Sequence, residues 1–136
     1  MFRARRQIRF ADVDPAGIVF YPRYFEMINA TVEDWFEHIG YGFADMIRRD
    51  GYGVPLATIE VDFKRPSELD DWLDFTLDVK ALGSSSIQVD ITARCGEEIR
   101  LIARPVLVFV KTEATRPVRI PDALREKIEH YQRGQA

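Results

Sequence analysis

The chain is short of cysteine, of histidine and of long apolar runs, and each shortage excludes something. With Cys95 alone, neither an internal disulfide nor a cysteine-built zinc cluster can form. No stretch approaches the roughly 18 apolar residues of a membrane-spanning helix. The basic opening MFRARRQIRF lacks the apolar run of a secretory leader. The expected compartment is therefore the cytoplasm, with no membrane partner. A basic excess is missing too: 19 Lys and Arg against 22 Asp and Glu leave a net charge of −3, which argues against a general nucleic-acid binder. There are no repeats and no low-complexity tracts. What remains is an ordinary globular mix, 46% hydrophobic and 30% charged, over 136 residues. A chain of that length buries about two thirds of its unfolded surface. One domain spanning 1–136, with one core and no staples, is the expectation.

Hydrophobic period divides the chain. Arg5 to Phe10 reads as a first strand, with Ile8 and Phe10 on one face. Pro22 then opens a long helix, in which Tyr24, Met27, Ile28, Thr31, Val32, Trp35, Phe36 and Ile39 recur at three- and four-residue steps. Gly40 stands where a helix stops. A short second helix is expected over Phe43–Arg49. Beyond it the period is two. Ala57, Ile59, Val61 and Phe63 alternate with polar residues, as do Leu73 to Ala81 and Ile87 to Ala93. A last strand, Ile99 to Val110, ends in a continuous apolar run from Val106, which points to burial on both faces or at a subunit contact. The links around Gly83 and Gly96 suit hairpins. Pro121 opens a final helix ending near Gln132. Strand, long helix, four strands in an antiparallel meander and closing helix make an α+β layer architecture, one hydrophobic helix against one sheet of about five strands.

The stretch with chemical potential is Asp12 to Tyr24, DVDPAGIVFYPRY. It sets two carboxylates in a tight turn just before a helix start. A helix start presents unpaired amides and a positive dipole end, which suit a developing oxyanion. A carboxylate upstream would complete the parts list of acyl transfer. The plainer reading is equally physical: Asp and Pro are turn formers, and Asp before a helix is a cap. D-x-D also fits a metal site or a phosphotransfer aspartate, but no cluster of further ligands accompanies it, so neither a metal nor a cofactor is expected.

DVDPAGIVFYPRYFEMIN resembles the active-site signature of the 4-hydroxybenzoyl-CoA thioesterase family. The shared pattern is D-x-D-x-x-G-[hydrophobic]-V-[aromatic]-x-x-x-Y, from Asp12 to Tyr24. The likeness continues through Phe63 to Val89 and the RPVRIP segment, Arg116 to Pro121. It implies a hotdog fold, a long central helix wrapped by a curved antiparallel sheet of about five strands. It also implies hydrolysis of an acyl-CoA to a free acid and coenzyme A. By that resemblance Asp14 is the catalytic carboxylate, either a nucleophile forming a mixed anhydride or a general base on water. Gly17 would let the backbone pass close to the acyl group. The backbone N–H of Tyr21 would bind the thioester oxygen, a contact worth about 3 kcal/mol of barrier.

The resemblance extends to the substrate. Arg116 and Arg119 match positions that contact the nucleotide end of coenzyme A. Ser84, Ser85 and Ser86 lie in a turn where some relatives carry basic residues; hydroxyls can bond phosphate but bring no charge. Asn29 stands where relatives that accept a hydroxylated ring carry an acid. Tyr52, Val54 and Thr58 begin the second strand, which in hotdog dimers approaches the partner's active site, and they are candidate pocket walls. A homodimer or homotetramer is expected, since a lone half-sheet leaves edges and apolar faces exposed. Two rival readings stand beside hydrolysis. One is a non-catalytic acyl-CoA-binding module. The other is a hydroxyacyl-thioester dehydratase, whose chemistry calls for a His in the loop, where neither His38 nor His130 falls.

Overall fold

The computed structural model describes residues 1–132. Its strands are β1 (Phe2–Gln7), β2 (Tyr52–Gly53), β3 (Leu56–Phe63), β4 (Trp72–Leu82), β5 (Ser86–Cys95), β6 (Glu98–Val108), β7 (Val110–Lys111) and β8 (Arg116–Pro117). The helices are α1 (Pro22–His38) and α2 (Asp122–Glu129), with one π-helical turn, Ala44–Arg49, between α1 and β2. A five-stranded antiparallel sheet has the spatial order β1-β4-β5-β6-β3, and a small sheet has the order β2-β7-β8. This is the hotdog architecture that the sequence leads one to expect.

α1 begins with Pro22 at its first position, where the absent N–H costs nothing. One stripe, Tyr24, Met27, Ile28, Thr31, Val32, Trp35 and Phe36, is buried. The helix stops at Gly40, whose φ of +89° only glycine adopts cheaply. The Tyr41 amide donates to Phe36 O at 2.9 Å and the Gly40 amide to Glu37 O at 3.1 Å, the paired bonds of a Schellman cap. The buried stripe meets the inner face of the sheet: Leu73, Phe75, Leu77 and Val79 from β4, Ile87, Val89, Ile91 and Ala93 from β5, and Leu101, Ala103 and Leu107 from β6. These are the positions that period-two alternation selects. Each of the Val, Leu, Ile and Phe side chains contributes roughly 1.5–3 kcal/mol by leaving water.

The structure departs from the sequence reading in three places. β1 starts and ends three residues earlier than expected, because Arg9 and Asp12 close a turn after it. The four later strands are not a simple meander. β4, β5 and β6 form one, but β3 docks on the far side of β6. The cause is the link 64–71, which crosses the sheet end instead of turning back. The Lys64 and Arg65 amides both donate to Arg100 O, while Arg100 Nη1 donates to Pro66 O, Ser67 Oγ and Asp71 Oδ2. The apolar run Val106–Val110 is shared between two sheets. β6 ends at Val108, β7 begins at Val110, and Leu107, Phe109 and Val110 are buried while Val106 and Val108 are half-buried.

Candidate active site

Residues 12–20 fold into a hairpin of their own. Val13 pairs with Val19 antiparallel, the Asp14 amide donates to Ile18 O at 3.0 Å, and the Gly17 amide donates to Asp14 O at 2.9 Å. The turn residues suit it: Asp at its first position, Pro at the second, and a glycine at φ +81° in the fourth. At the hairpin's base, the Phe20 amide donates to Asp12 O at 2.9 Å, and Tyr21 follows as the cap of α1. The turn and the helix start are thus two ends of one short element.

The two carboxylates have different employment. Asp12 Oδ2 accepts the Arg9 amide at 2.9 Å and closes the turn after β1. Asp14 Oδ1 accepts the Ala16 amide at 2.9 Å, which tightens its own turn, while Oδ2 has no partner among the described residues. Half of the Asp14 carboxylate is structural and half is unengaged. At the base, the Tyr21 amide likewise has no acceptor among the described residues.

The hairpin is held from behind. The Val19 amide donates to Ser67 O at 2.9 Å and Ile18 bridges Glu68. Buried Tyr24 accepts the Ser67 amide on its hydroxyl at 3.2 Å. The Glu68 amide and Arg100 hold the Asp71 carboxyl below its ordinary range, against the opposing effect of burial. Tyr24, Ser67, Asp71 and Arg100 therefore fix where Asp14 sits. Tyr24 is the last residue of the sequence motif; Ser67 and Arg100 carry no local signal, because their role arises from contacts between distant segments.

A cleft of about 160 Å³ opens along α1. Phe25, Ile28, Asn29 and Val32 line one side; Phe43, Val54, Pro55, Leu56, Ile59, Pro105 and Leu107 line the other. Tyr21 heads the same face of the helix, four residues before Phe25 and eight before Asn29. Asn29 is the single polar side chain in that lining. Of the expected pocket walls, the structure brings Asn29 and Val54 together here. Tyr52 lies elsewhere, its ring tilted against that of Phe109 with centroids 4.9 Å apart, and faces a separate depression near Pro121. Thr58 opens onto the outer face of the sheet, beside Glu60 and Arg104. Neither Asp14 nor Gly17 lines the cleft of its own chain, and a Cβ built at Gly17 meets nothing within 4 Å. His38 and His130 are also outside it. Among the described residues, no group of three or more His, Cys, Asp or Glu could hold a metal ion, and no helix is long and apolar enough to cross a membrane.

The expected nucleotide contacts converge. The Ile120 amide donates to Ser84 O at 2.9 Å, so the serine turn abuts the segment that carries Arg116 and Arg119. Both arginines are exposed, and Arg119 pairs with Asp122 at 2.8 Å.

The fold has close counterparts among solved structures. Slr0204 from Synechocystis, a 1,4-dihydroxy-2-naphthoyl-CoA thioesterase, superposes with a TM-score of 0.85 over 93% of this chain and 94% of its own, at 21% identity. The hypothetical protein SAV2348 from Staphylococcus aureus, solved in complex with CoA, gives a TM-score of 0.91 over 99% of this chain and 85% of its own, at 12% identity. Helix, wrapping sheet and hairpin thus define a hotdog-fold protein. A family model for the thioesterase-like superfamily matches residues 8–128, and the chain belongs to that superfamily. Among its curated relatives is a 1,4-dihydroxy-2-naphthoyl-CoA hydrolase from Prochlorococcus marinus, 30% identical over 102 residues, covering 70% of this chain and 68% of the relative.

Proposed function

We propose that the protein hydrolyses an acyl-coenzyme A to a free acid and coenzyme A, with Asp14 as nucleophile or general base. The observation that carries this reading is the hairpin, which leaves one carboxylate oxygen of Asp14 and the Tyr21 amide unengaged just before a buried helix. The Tyr21 amide stands where a thioester oxygen can be held as it gains charge. A thiolate leaves readily, so a loop without histidine suffices. Membership of the superfamily and relatives named as CoA-thioester hydrolases support the substrate class.

The site is composite in this reading. Asp14 does not line the cleft of its own chain, and β3, one wall of that cleft, is an edge strand exposing Leu56 and Phe63. An edge of this kind invites a second copy. Two copies then present the Asp14 of one to the cleft of the other. The cleft of one chain is comparable in size to the roughly 150 Å³ void that takes one benzene ring. Its one amide, Asn29, offers a neutral donor and acceptor to a polar substituent.

The test is thiol release from aromatic, short aliphatic and long-chain acyl-CoA esters by the wild type and Asp14→Asn. Asn keeps the turn bond to Ala16 and loses the acid–base chemistry. The expected result is a loss of about 10³-fold in kcat with folding and ester binding retained. Unchanged turnover would remove Asp14 from the chemistry. A wild type that binds the esters and releases no thiol would make the protein a binding module.

A further inference from the structure

A second concavity lies behind the segment that walls the acyl cleft. Between α1 and β3 one strip of chain serves two cavities. Phe43 and Val54 line the cleft, of about 160 Å³, while Tyr41 and Tyr52 line a depression of about 330 Å³. α2 and its cap close the other side of that depression through Pro121, Ala123, Leu124 and Lys127. This is not the face of α2 that meets the serine turn. Arg125 reaches Gly83 O and Ser84 O from the opposite side, since two residues turn a helix by about 200°.

The depression combines aromatic walls, an apolar floor and one unmatched charge. Leu124 is buried, and the Tyr52 ring rests against buried Phe109. Asp50, the single carboxylate of the lining, is fully engaged. It accepts the Tyr41 hydroxyl at 2.7 Å and Arg49 Nε and Nη2 at 2.9 and 3.2 Å. Arg49 is thereby matched as well. Lys127 is not, for it forms no ion pair among the described residues. Arg49 and Lys127 against Asp50 leave the lining one positive charge. Lys127 Nζ lies over the end of α1, 3.5 Å from a Cβ built on Gly40. The helix dipole favours a cation there, but it supplies only about half a negative charge and no carboxylate. An apolar concavity with one convergent charge is the ordinary make-up of a small-molecule site.

We infer that this depression is a second ligand site, for a small aromatic monocarboxylate, with the ring against Tyr41 and Tyr52 and the carboxylate on Lys127. Tyrosine walls suit a ring through offset or edge contacts, and an ammonium–carboxylate bond is charge-assisted. A void of roughly 150 Å³ takes one benzene ring, so the depression has room for a ring and its acid group. An acid of this kind is the class of product that hydrolysis of an aromatic acyl-CoA releases. It would sit behind the cleft wall, since Tyr52 and Val54 are two residues apart. The product sense of the site rests on the acyl-CoA reading above; the site itself does not.

Titration with benzoate, followed by backbone amide chemical shifts, tests it. Val54→Trp, which fills the acyl cleft, serves as the background, so that binding in the cleft does not intrude. Benzoate at millimolar concentration should shift the amides of Tyr41, Tyr52 and Lys127 saturably, and more weakly in high salt. Lys127→Met in that background weakens benzoate about fivefold, and neutral benzamide binds no better than benzoate does to that variant. Ala123→Trp, which fills the depression and keeps the charge, abolishes the shifts. Lys127 and Ala123 are both exposed, so neither substitution disturbs the core. No saturable shift at these amides, or equal affinity for benzoate and benzamide, overturns the inference. Unweakened benzoate binding in Lys127→Met overturns it too, and decides the matter should Ala123→Trp fail to fold. A wild type that releases no thiol from aromatic acyl-CoA esters overturns the product sense, while saturable benzoate binding still upholds the site.

Discussion

Gly17 holds φ at +81°, a conformation that costs an L-residue with a Cβ about 1 kcal/mol. No neighbour in the chain crowds that position, since a built Cβ meets nothing within 4 Å. Gly17→Ala is therefore a backbone perturbation alone, expected to lower Tm by about 4 °C in a thermal melt. Tyr24 presents the opposite case. Its hydroxyl accepts the Ser67 amide in a fully buried place. Tyr24→Phe leaves that N–H without an acceptor, at a cost of about 1–3 kcal/mol in denaturant unfolding. The motif that flags Asp14 in the sequence thus contains residues of two kinds. Gly17 and Tyr24 are explained by the turn and its anchorage, and Asp14 is half explained, through Oδ1. Its free Oδ2 is the part of the motif that folding does not use.

The link from β3 to β4 is the element that sets the hairpin's place. Asp71 joins it to Arg100, and its carboxyl is held below the ordinary 3.8 by the Glu68 amide first and Arg100 with it. A carboxylate depressed in the folded state stabilises fully above its unfolded value. That contribution drains away as the pH falls through the lowered one. Melts between about pH 2 and pH 5 should show a shallower acid limb in Asp71→Asn than in the wild type. The inner faces of β4, β5 and β6 and the buried stripe of α1 were legible in the sequence because alternation and three-four spacing are local signals. The docking of β3 beyond β6, the two-residue strands of the small sheet and the role of Arg100 were not. The β3–β6 and β2–β7 pairings and the Arg100 contacts join segments 29 or more residues apart, which no window of sequence contains, and β7–β8 is too short to show an alternation. For the same reason the sequence grouped Tyr52 and Thr58 with Val54, although the chain turns between them onto different surfaces.

For the molecule as a whole, the proposed composite site would make activity a property of paired copies. Light scattering at micromolar concentration is expected to give at least a dimer. Mixing Asp14→Asn with Val54→Trp, a variant whose cleft is filled, should restore part of the activity that each lacks alone, because one of the two sites in a mixed pair is then intact. No recovery on mixing, with exchange of copies verified, would return both halves of the site to a single chain. The strand order carries a last consequence, for synthesis. β1 must wait for β4, some seventy residues later, and β3 must wait for β6, some forty later. As the chain leaves the ribosome, roughly its first half has no strand to pair with, and only the β4-β5-β6 ribbon can form from neighbours. That ribbon is the natural seed of folding, and a nascent chain halted before it would expose Leu56, Phe63 and the apolar stripe of α1 to whatever chaperone is nearest.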